Sequence, residues 1–371
     1  MSSLAIAHVS NEIAGGMGVV FRILLPAQVK GGDRVAFFVR HAEAADLAHF
    51  AAHGVEMRHI SGTLNLARQL RGYDVVHLHS ANLDLLIAGW LSRRATIFTL
   101  HGLRAQTRGI STMSVPRPPT LRGLRRRLKR FSLSFMLRHA VTRVATVSQF
   151  LAGKASSLYG VDRRKVMVVP NGIALDTFRG CAQPPSGEAT VIGWMGRLVP
   201  VKRVDILLRT VARLLEGGRH RELRVVILGD GPLRDELMAL ARSLGIDNVV
   251  DFVGHTDEPA RYLAQMHVLV FPSENEGAGN VVNEAMAAGV PVVVLKDGGG
   301  AAELVNVSSG GIVVDSEALL ADAVEGLLAD GDLRSQLSRQ GLSYALRELD
   351  PAAWADRYRT VYQAARGVSG R

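Results

Sequence analysis

The sequence predicts an α/β protein with two Rossmann-like, doubly wound domains. Short runs of β-branched residues alternate with longer amphipathic stretches, a pattern typical of parallel sheets covered by helices on both faces. The chain has 371 residues, which exceeds one ordinary core of this kind and suits two. The alternation is interrupted near the middle of the chain, so a domain boundary is expected there.

The interruption lies at residues 179–187, where prolines and a cysteine replace the regular pattern, as is typical of a linker. We therefore predict an N-terminal domain over 1–180 and a C-terminal domain over 188–350. A last helix over 352–366 is expected to cross back to the N-terminal domain.

The predicted strands are short and apolar. In the first domain they lie at Leu4–Ser10, Val35–Arg40, Val75–His79, Ala95–Leu100, Val144–Val147 and Val166–Val169. In the second they lie at Thr190–Trp194, Arg224–Leu228, Val249–Val253, Val268–Phe271, Pro291–Leu295 and Gly311–Val314. Open α/β sheets bind ligands beyond the carboxyl ends of their strands, so two such domains facing one another would form a cleft lined by strand-end loops.

Composition limits the location of the protein. No apolar run approaches the roughly 18–20 residues needed to cross a bilayer, and the first ten residues lack a basic region followed by a long apolar one. The single cysteine, Cys181, excludes a disulfide within the chain and a cysteine metal cluster. We therefore expect a cytoplasmic protein.

Charge is distributed unevenly along the chain. Residues 1–187 hold 25 Lys and Arg against 9 Asp and Glu, a formal charge of +16, while residues 188–371 hold 19 against 25, a charge of −6. The basic half is therefore expected to meet an anionic partner. A nucleic acid, a membrane surface and a phosphorylated acceptor all fit this charge.

The most informative motif is the segment 273–289, a glycine-rich stretch between two predicted strands. Glycines allow close approach of the backbone, and a helix beginning near Asn280 would direct unpaired N–H groups at a phosphate. Glu276 lies in the loop and Glu284 in the helix, where carboxylates would accept hydrogen bonds from sugar and ribose hydroxyls. Alternatively, Glu284 only favours the helix N-terminus electrostatically.

Two cations precede a helix of the second domain. Arg197 follows the strand Thr190–Trp194, and Lys202 lies at the start of a helix with apolar residues at helical spacing. Cations near the positive end of a helix dipole are unfavourable unless an anion joins them, so this placement indicates a diphosphate site. The alternative is a solvated basic loop.

These motifs resemble the signature of the retaining glycosyltransferases of family 4, whose fold is called GT-B. The spacing from Glu276 to Glu284, followed by Ala-Met-Ala, is specific, while Ala278 departs from the phenylalanine common there. Other motifs occur in the family's order along nearly the whole chain: Gly15-Gly16, His101-Gly102, Val147-Ser148, Pro170-Asn171-Gly172, Gly196-Arg197 with Lys202, and Gly229-Asp230-Gly231-Pro232. The resemblance implies transfer of a hexose-type sugar from a UDP- or GDP-linked donor.

The resemblance also implies roles for individual residues. Glu276 would contact hydroxyls of the donor sugar, and Glu284 would bind the nucleotide ribose. Arg197 and Lys202 would bind the diphosphate and stabilise the charge that develops as it leaves, which requires no metal. His101 would lie near the donor sugar.

Further nucleotide contacts are expected from the backbone. Gly16 would contact a phosphate from the first domain. In the second domain, N–H groups would come from Asn280, Val281 and Val282. Val253, at the end of a predicted strand, is an additional candidate for nucleotide binding.

Two patterns superficially resemble metal sites. His77 and His79 alternate on one predicted strand, but no third ligand follows at convincing spacing. The sequence Asp330-Gly331-Asp332 joins two predicted C-terminal helices away from the strand ends and is interpreted as a turn. No metal or other cofactor is therefore expected.

Much of the basic charge lies in the segment 121–143. Apolar residues recur there at spacings of three and four, namely Leu121, Leu124, Leu128, Phe131 and Phe135. Such a helix would either lie on anionic lipid at the inner face of the membrane or pack its apolar stripe on the sheet of its own domain. The preceding segment 104–120 is a candidate acceptor loop.

The predicted function is retaining transfer of the sugar to a hydroxyl of a glycan or lipid-linked acceptor, in the assembly of a cell-surface polysaccharide or glycolipid. One alternative is an epimerase or phosphorylase built from the same paired domains. Another is a noncatalytic protein that binds nucleic acid or membrane, which would explain the basic half but not the paired glutamates. No aromatic platform for stacking bases is evident, so nucleic acid is not expected.

Overall fold

The computed structural model describes residues 3–13, 15–102, 131–178, 181, 189–217 and 222–369. The candidate acceptor loop and residues 121–130 of the basic segment lie outside the described residues, as does most of the predicted linker. The chain divides into two compact units. Unit 1 comprises Met1–Gly172 with Pro351–Arg371, and unit 2 comprises Ile173–Asp350.

Each unit is built on one parallel sheet. The strands of unit 1 are β1 Ala5–Glu12, β2 Arg34–His41, β3 Glu56–His59, β4 Val75–Leu78, β5 Ala95–Leu100, β6 Arg143–Thr146 and β7 Val166–Val168. Those of unit 2 are β8 Thr190–Met195, β9 Leu223–Leu228, β10 Val250–Gly254, β11 Val268–Phe271, β12 Val292–Leu295 and β13 Gly311–Val314. Hydrogen bonding orders them β3-β2-β1-β4-β5-β6-β7 and β10-β9-β8-β11-β12-β13. Both sheets are doubly wound, which confirms the predicted fold class of two Rossmann-like domains.

Helices connect the strands, as parallel pairing requires. The α-helices are α1 Gly15–Lys30, α2 Ala44–Ala52, α3 Thr63–Leu70, α4 Leu83–Leu91, α5 through 131–139, α6 Gln149–Tyr159, α7 Val204–Glu216, α8 Arg234–Ser243, α9 Pro259–Leu263, α10 Asn280–Ala287, α11 Gly300–Ser308, α12 Leu320–Ala329, α13 Gly331–Glu348 and α14 Pro351–Ser369. Short 3-10 turns lie at Arg163–Lys165, Leu175–Phe178, Pro200–Lys202, Lys296–Gly298 and Glu317–Leu319.

The observed strands lie within two residues of the predicted ones, with one exception. The sequence pattern misses β3, which reads Glu-Met-Arg-His and pairs only with β2 at the edge of its sheet. Three of its four residues are exposed, so no apolar run marks it. A strand at a sheet edge can be polar because it has no second neighbour to cover it.

The structural boundary between the units also differs from the predicted one near residue 180. Ile173 and Phe178 are buried in the hydrophobic core of unit 2, although both fall within the predicted first domain. Phe178 ends a short 3-10 turn and Ile173 precedes it, and so short a segment has no apolar periodicity by which a sequence would assign it to either core.

The C-terminal helix α14 belongs to the core of unit 1. It packs on α1 and on β5, and three of its aromatic residues, Trp354, Tyr358 and Tyr362, are completely buried. Burying an aromatic side chain of this kind is worth roughly 1.5–3 kcal/mol. The helix therefore contributes a substantial part of the apolar core of a unit that it rejoins from the other end of the chain.

Candidate active site

The site residues predicted in the second half of the chain cluster at one edge of the unit 2 sheet. Arg197 follows β8, Glu276 follows β11, and Glu284 lies on α10, the helix after that loop. Val253 lies near the end of β10 and is half-buried. All of them therefore occupy the edge at which doubly wound sheets bind ligands.

The backbone around Glu276 is held by the neighbouring strand-end loop. Glu276 N–H donates to the carbonyl of Gly298 at 3.2 Å, and Gly300 N–H donates to the carbonyl of Glu276 at 2.7 Å. Gly279 has φ +68°, and a Cβ there would lie 3.1 Å from the Cα of Ala301, so a side chain would be strained and crowded. The glycine-rich loop therefore packs closely on the start of α11, which fixes the position of the Glu276 side chain.

Glu276 and Lys202 form an ion pair. The side chains are 23% and 17% exposed, so water screens the pair only in part. Glu276 Oε2 also lies 3.0 Å from the hydroxyl of buried Ser273, and Lys202 Nζ lies 4.8 Å from the ring centroid of Phe271. The residues predicted to hold the diphosphate and the sugar therefore lie in direct contact.

Arg203 connects the loops that carry this pair. Its guanidinium lies 2.8 Å from carboxylate oxygens of both Glu274 and Asp297, in the loops after β11 and β12. Its backbone is left-handed, with φ +48° and ψ +45°, a conformation that costs a non-glycine residue about 1–2 kcal/mol. Sequence reasoning missed Arg203, although its position directly after Lys202 and the acidic residues of the 273–289 motif could have indicated it. Its two ion pairs hold the adjacent Lys202 in place.

Arg197 is exposed, and its side chain makes no ion pair within the part of the chain that the structure describes. Its loop is positioned by backbone packing. Gly229 has φ +119°, and a Cβ there would lie 1.9 Å from the carbonyl oxygen of Gly196, so the loops after β8 and β9 touch main chain to main chain. The guanidinium of Arg197 is therefore available to an anion at the strand ends.

Glu284 is an unusual acid. Burial raises its pKa to about 7, because removal from water disfavours the charged form. Among the described residues none donates a hydrogen bond to its side chain. The residue is half-buried and keeps some exposed surface, so this carboxyl group suits contact with a ligand hydroxyl.

The three backbone donors predicted at the start of α10 are not equivalent. The N–H of Val282 already donates to the carbonyl of Gly279 at 2.8 Å, within the first turn. Val281 lies at a position whose N–H a regular helix leaves without an internal acceptor. Val282 is therefore a poorer candidate for a phosphate contact than the sequence alone indicated.

Two predicted residues lie at strand ends of unit 1. Gly16 is exposed in the first turn of α1, directly after β1. His101 follows β5, and its Nε2 lies 3.0 Å from Nδ1 of His79. Burial lowers the pKa of His101 to about 3, so its imidazole is neutral near pH 7.

The structure corrects one prediction about histidines. His8 brings a third imidazole to His77 and His79, and the three offer nitrogens within 4.8 Å of one another. A metal would find three nitrogen ligands here, but all six ring nitrogens already make hydrogen bonds to protein side chains. The other metal-like pattern has a structural explanation, because Asp330 caps α13 by accepting a 2.9 Å hydrogen bond from Leu333 N–H.

One interpretation of the basic segment is that its apolar stripe packs on the sheet of its own domain. The described part of the segment, in α5, does not pack in this way. Leu133, Met136 and Leu137 are buried, whereas Phe131 is 70% and Phe135 is 52% exposed. These two members of the predicted stripe therefore face solvent and not the sheet. Within the described ranges, no helix is both long enough and apolar enough to cross a membrane.

Two protein families match different parts of the chain. The family "Glycosyltransferase Family 4" matches residues 14–177, and "Glycosyl transferases group 1" matches residues 182–343. The chain is 31% identical to the D-inositol 3-phosphate glycosyltransferase of Actinosynnema mirum, over 90% of this chain and 86% of that protein. It is 32% identical to the lipopolysaccharide core biosynthesis glycosyltransferase LpsE of Rhizobium meliloti, over 53% of this chain and 57% of that protein.

Solved structures show the same fold at lower identity. Anabaena Alr3699/HepE in complex with UDP-glucose matches with a TM-score of 0.77 and 19% identity, covering 99% of this chain and 100% of that one. The two family matches, the relative that aligns along most of the chain, and the shared fold lead to one conclusion: this chain is a glycosyltransferase and belongs to glycosyltransferase family 4.

Proposed function

We propose that this glycosyltransferase transfers a hexose, with retention of configuration, from a UDP- or GDP-linked donor to a hydroxyl of a phosphate-bearing acceptor. The observation that carries the proposal is the contact between Lys202 and Glu276 at the strand ends of unit 2, beside exposed Arg197. It joins positive groups for a diphosphate to a carboxylate for sugar hydroxyls. A cell-surface polysaccharide or a glycolipid is the proposed product.

The two charges of the pair have different tasks. An ammonium has three N–H donors, so Lys202 can hold Glu276 and a phosphate oxygen at the same time. Arg197 offers a planar fork of donors to the same diphosphate. Glu276 keeps a free oxygen for sugar hydroxyls, and Glu284 accepts from a ribose hydroxyl.

The reaction needs no protein base. The bond between the anomeric carbon and the diphosphate oxygen breaks, and the acceptor oxygen bonds to the face that the diphosphate leaves. The acceptor proton passes to the departing phosphate oxygen, whose charge Arg197 and Lys202 stabilise without a metal. His101 is a poor base for this step, because its pKa of about 3 lies far below the pH of the reaction.

The proposed acceptor follows from charge. The first half of the chain has a formal charge of +16, which suits an anionic acceptor. The relative from Actinosynnema mirum is named for an inositol 3-phosphate, and LpsE of Rhizobium meliloti for the lipopolysaccharide core. We therefore assign a phosphorylated polyol or sugar, free or linked to lipid, as the acceptor class.

Nucleotide release tests the proposal. Purified protein is incubated with UDP-glucose, UDP-galactose or GDP-mannose and with D-inositol 3-phosphate or unphosphorylated inositol, with and without chelator. We expect nucleotide release that depends on the phosphorylated acceptor, persists with chelator and yields a product that retains the anomeric configuration of the donor. Release that requires an added metal, or equal use of both inositols, would contradict the corresponding part of the proposal.

The same assay separates the alternatives. An epimerase would convert the nucleotide sugar without releasing nucleotide, and a phosphorylase would require inorganic phosphate. A protein that binds no nucleotide sugar but binds nucleic acid in a salt-sensitive way would be the basic noncatalytic protein.

We further propose that the segment 121–143 docks on anionic membrane. Exposed Phe131 and Phe135 lie one helical turn apart on α5, with exposed Arg138 and His139 on the turns that follow. Flotation with anionic liposomes should decrease for Phe131→Ala, while the control Leu346→Ala, at a comparably exposed apolar residue of unit 2, should float like the parent. Equal flotation of all three proteins would count against docking through this helix.

A further inference from the structure

A buried polar network in unit 1 has no task in the proposed reaction. It is centred on His8 in β1 and on His77 and His79 in and after β4. Their ring centroids lie 4.0–5.2 Å apart, and all three side chains are buried. Gln28 of α1 and Tyr362 of α14 complete it, both also buried. Such a group of polar side chains in the core of a sheet requires an explanation.

The network forms a continuous chain of hydrogen bonds from Gln28 to His101. Gln28 Oε1 lies 2.8 Å from His8 Nε2, and His8 Nδ1 lies 2.8 Å from His79 Nε2. His79 Nδ1 then lies 3.0 Å from His101 Nε2. Two imidazoles, those of His8 and His79, therefore connect the amide of Gln28 to His101 at the carboxyl end of β5.

The imidazoles of this chain are neutral. Burial lowers the pKa of His8 to about 4, and burial together with the neighbouring histidines holds the pKa of His79 well below its usual range. A neutral imidazole has one N–H group and one bare nitrogen. Each hydrogen bond in the chain therefore determines which nitrogen of the next ring carries the proton.

Gln28 sets the direction of the chain. Its Nε2 donates to the hydroxyl of Tyr362 at 2.9 Å, which leaves its carbonyl oxygen facing His8. Because a carbonyl only accepts, His8 carries its proton on Nε2 and accepts at Nδ1 from His79. His79 in turn accepts at Nδ1 from the Nε2–H of His101.

A second branch agrees with this direction. The hydroxyl of Tyr362 accepts from Gln28 and donates to His77 Nδ1 at 2.9 Å, and His77 Nε2–H donates to the hydroxyl of Thr99 at 2.6 Å. Turning the Gln28 amide over would reverse every bond in both branches. The orientation of this one amide therefore decides the polarity of the whole network.

At the end of the chain His101 has one nitrogen left. Its Nδ1 is buried and has no hydrogen-bond partner among the described residues. We propose that Gln28 is a positioning residue that, through His8 and His79, keeps the proton of His101 on Nε2 and presents its bare Nδ1 as a hydrogen-bond acceptor for a hydroxyl of the donor sugar. The identity of the hydroxyl as one of the donor sugar rests on the proposed function.

In this arrangement His101 distinguishes ligand groups by hydrogen bonding and does not act as an acid or a base. A bare, neutral nitrogen accepts from a hydroxyl but cannot donate to a carbonyl or to a phosphate oxygen. The reverse tautomer would present an N–H group at the same place. A change at Gln28 would therefore alter the recognition of the sugar without touching the nucleotide.

The first test uses the unaltered protein. Nitrogen NMR of protein labelled with ¹⁵N-histidine distinguishes protonated from bare ring nitrogens, and the His101 signals are assigned by their loss in His101→Asn. We expect a bare Nδ1 and a protonated Nε2 on His101. A protonated Nδ1 would overturn the proposal, and this reading does not depend on finding a substrate.

The second test uses Gln28→Leu, with Tyr358→Phe as the matched control. Tyr358 is equally buried and belongs to the same network, through a 3.3 Å contact with Thr99, but it lies at the far end from His101. We expect Gln28→Leu to change the tautomer of His101 and to weaken UDP-glucose binding roughly threefold to tenfold, the worth of one hydrogen bond. UDP, which has no sugar, should bind both variants as it binds the parent.

The outcomes separate the two proposals. Unchanged His101 signals in folded Gln28→Leu protein would refute the role of Gln28. An equal loss of affinity for UDP and UDP-glucose would indicate a structural defect and contradict recognition of the sugar by His101. Absence of nucleotide-sugar binding in the unaltered protein would refute the proposed function while the NMR result stands.

Discussion

The two units share one winding pattern but place opposite kinds of polar chemistry on it. Unit 1 holds neutral histidines joined by hydrogen bonds inside its sheet, and burial lowers their pKa values. Unit 2 holds ion pairs at its strand ends, with Lys202 against Glu276 and Arg203 between two acids. The same winding pattern therefore accommodates neutral, hydrogen-bonded groups in one unit and ion pairs in the other.

The depth of burial explains why the histidines of unit 1 are neutral and the site residues of unit 2 are charged. His8 and His77 are fully buried, where an isolated charge would cost several kcal/mol, so these groups remain neutral. Lys202 and Glu276 keep about a fifth of their side-chain surface in water, where a charge pair can persist. The cations Lys202 and Arg197 suit a diphosphate, whereas the carboxylate of Glu276 and neutral imidazoles can both accept hydrogen bonds from uncharged hydroxyls. Single substitutions at these groups test the roles assigned to them.

Removal of Lys202 should reduce the rate of sugar transfer more than any other substitution at the unit 2 site. Lys202→Ala deletes a charge from the proposed leaving-group site and leaves Glu276 without its cation, so we expect kcat to fall roughly 100-fold to 1,000-fold. Steady-state nucleotide release measures this loss. Lys296→Ala, an exposed lysine paired with Asp315 in the same unit, should retain the parental kcat. A folded Lys202→Ala protein with parental turnover would contradict the role of Lys202 in stabilising the departing diphosphate.

Neutralising Glu276 should give the next largest effect. Glu276→Gln keeps the shape but weakens hydrogen bonds to sugar hydroxyls, and we expect kcat/KM for the nucleotide sugar to fall roughly 10-fold to 100-fold. Binding of UDP, measured by calorimetry, should persist because the nucleotide is held elsewhere. A parallel loss of UDP binding would mean that Glu276 serves mainly to hold Lys202 in place.

Glu284 predicts a dependence of stability on pH. Its pKa is raised to about 7 in the folded state, so the folded protein binds an extra proton between about pH 4.5 and 7 and loses stability as the pH rises through that range. Glu284→Gln should therefore raise the free energy of unfolding at pH 8, on the order of 2 kcal/mol, and have less effect at pH 5. Urea unfolding measures both values.

Glu236→Gln, at an exposed acid of α8, is the control and should show no such pH dependence. The stabilised Glu284→Gln protein should bind UDP more weakly. Equal stabilisation at both pH values would show that burial does not govern the ionisation of Glu284.

The backbone conformation of Arg203 should give the smallest effect, which is measured as a difference in stability. Arg203→Ala and Arg203→Gly lose the same ion pairs, but glycine adopts the left-handed backbone more readily, so the glycine variant should be more stable by about 1 kcal/mol. Thermal or urea unfolding compares the two variants directly. Identical stabilities would indicate that the backbone relaxes when the ion pairs are lost.

Sequence patterns predicted the parallel strands because buried parallel strands are continuous apolar runs. They missed β3, since a polar edge strand has no such run, and they extended the first domain past Ile173, whose segment has no periodicity. Motif order predicted Lys202 and Glu276 separately. The position of Arg203, by contrast, depends on a left-handed turn that no local preference for arginine indicates.

The sequence alone determined the fold class, the strand ends that carry the site and the types of charge found there. Each depends on residues close together in the chain, where hydrophobic periodicity and turn residues act locally. Only the tertiary structure decided which of these residues touch. Lys202 meets Glu276 across 74 positions and Gln28 meets Tyr362 across 334, and such contacts exist only once the sheets have formed. Ionisation also belongs to this second category, because burial raises the pKa of Glu284 and lowers that of His101.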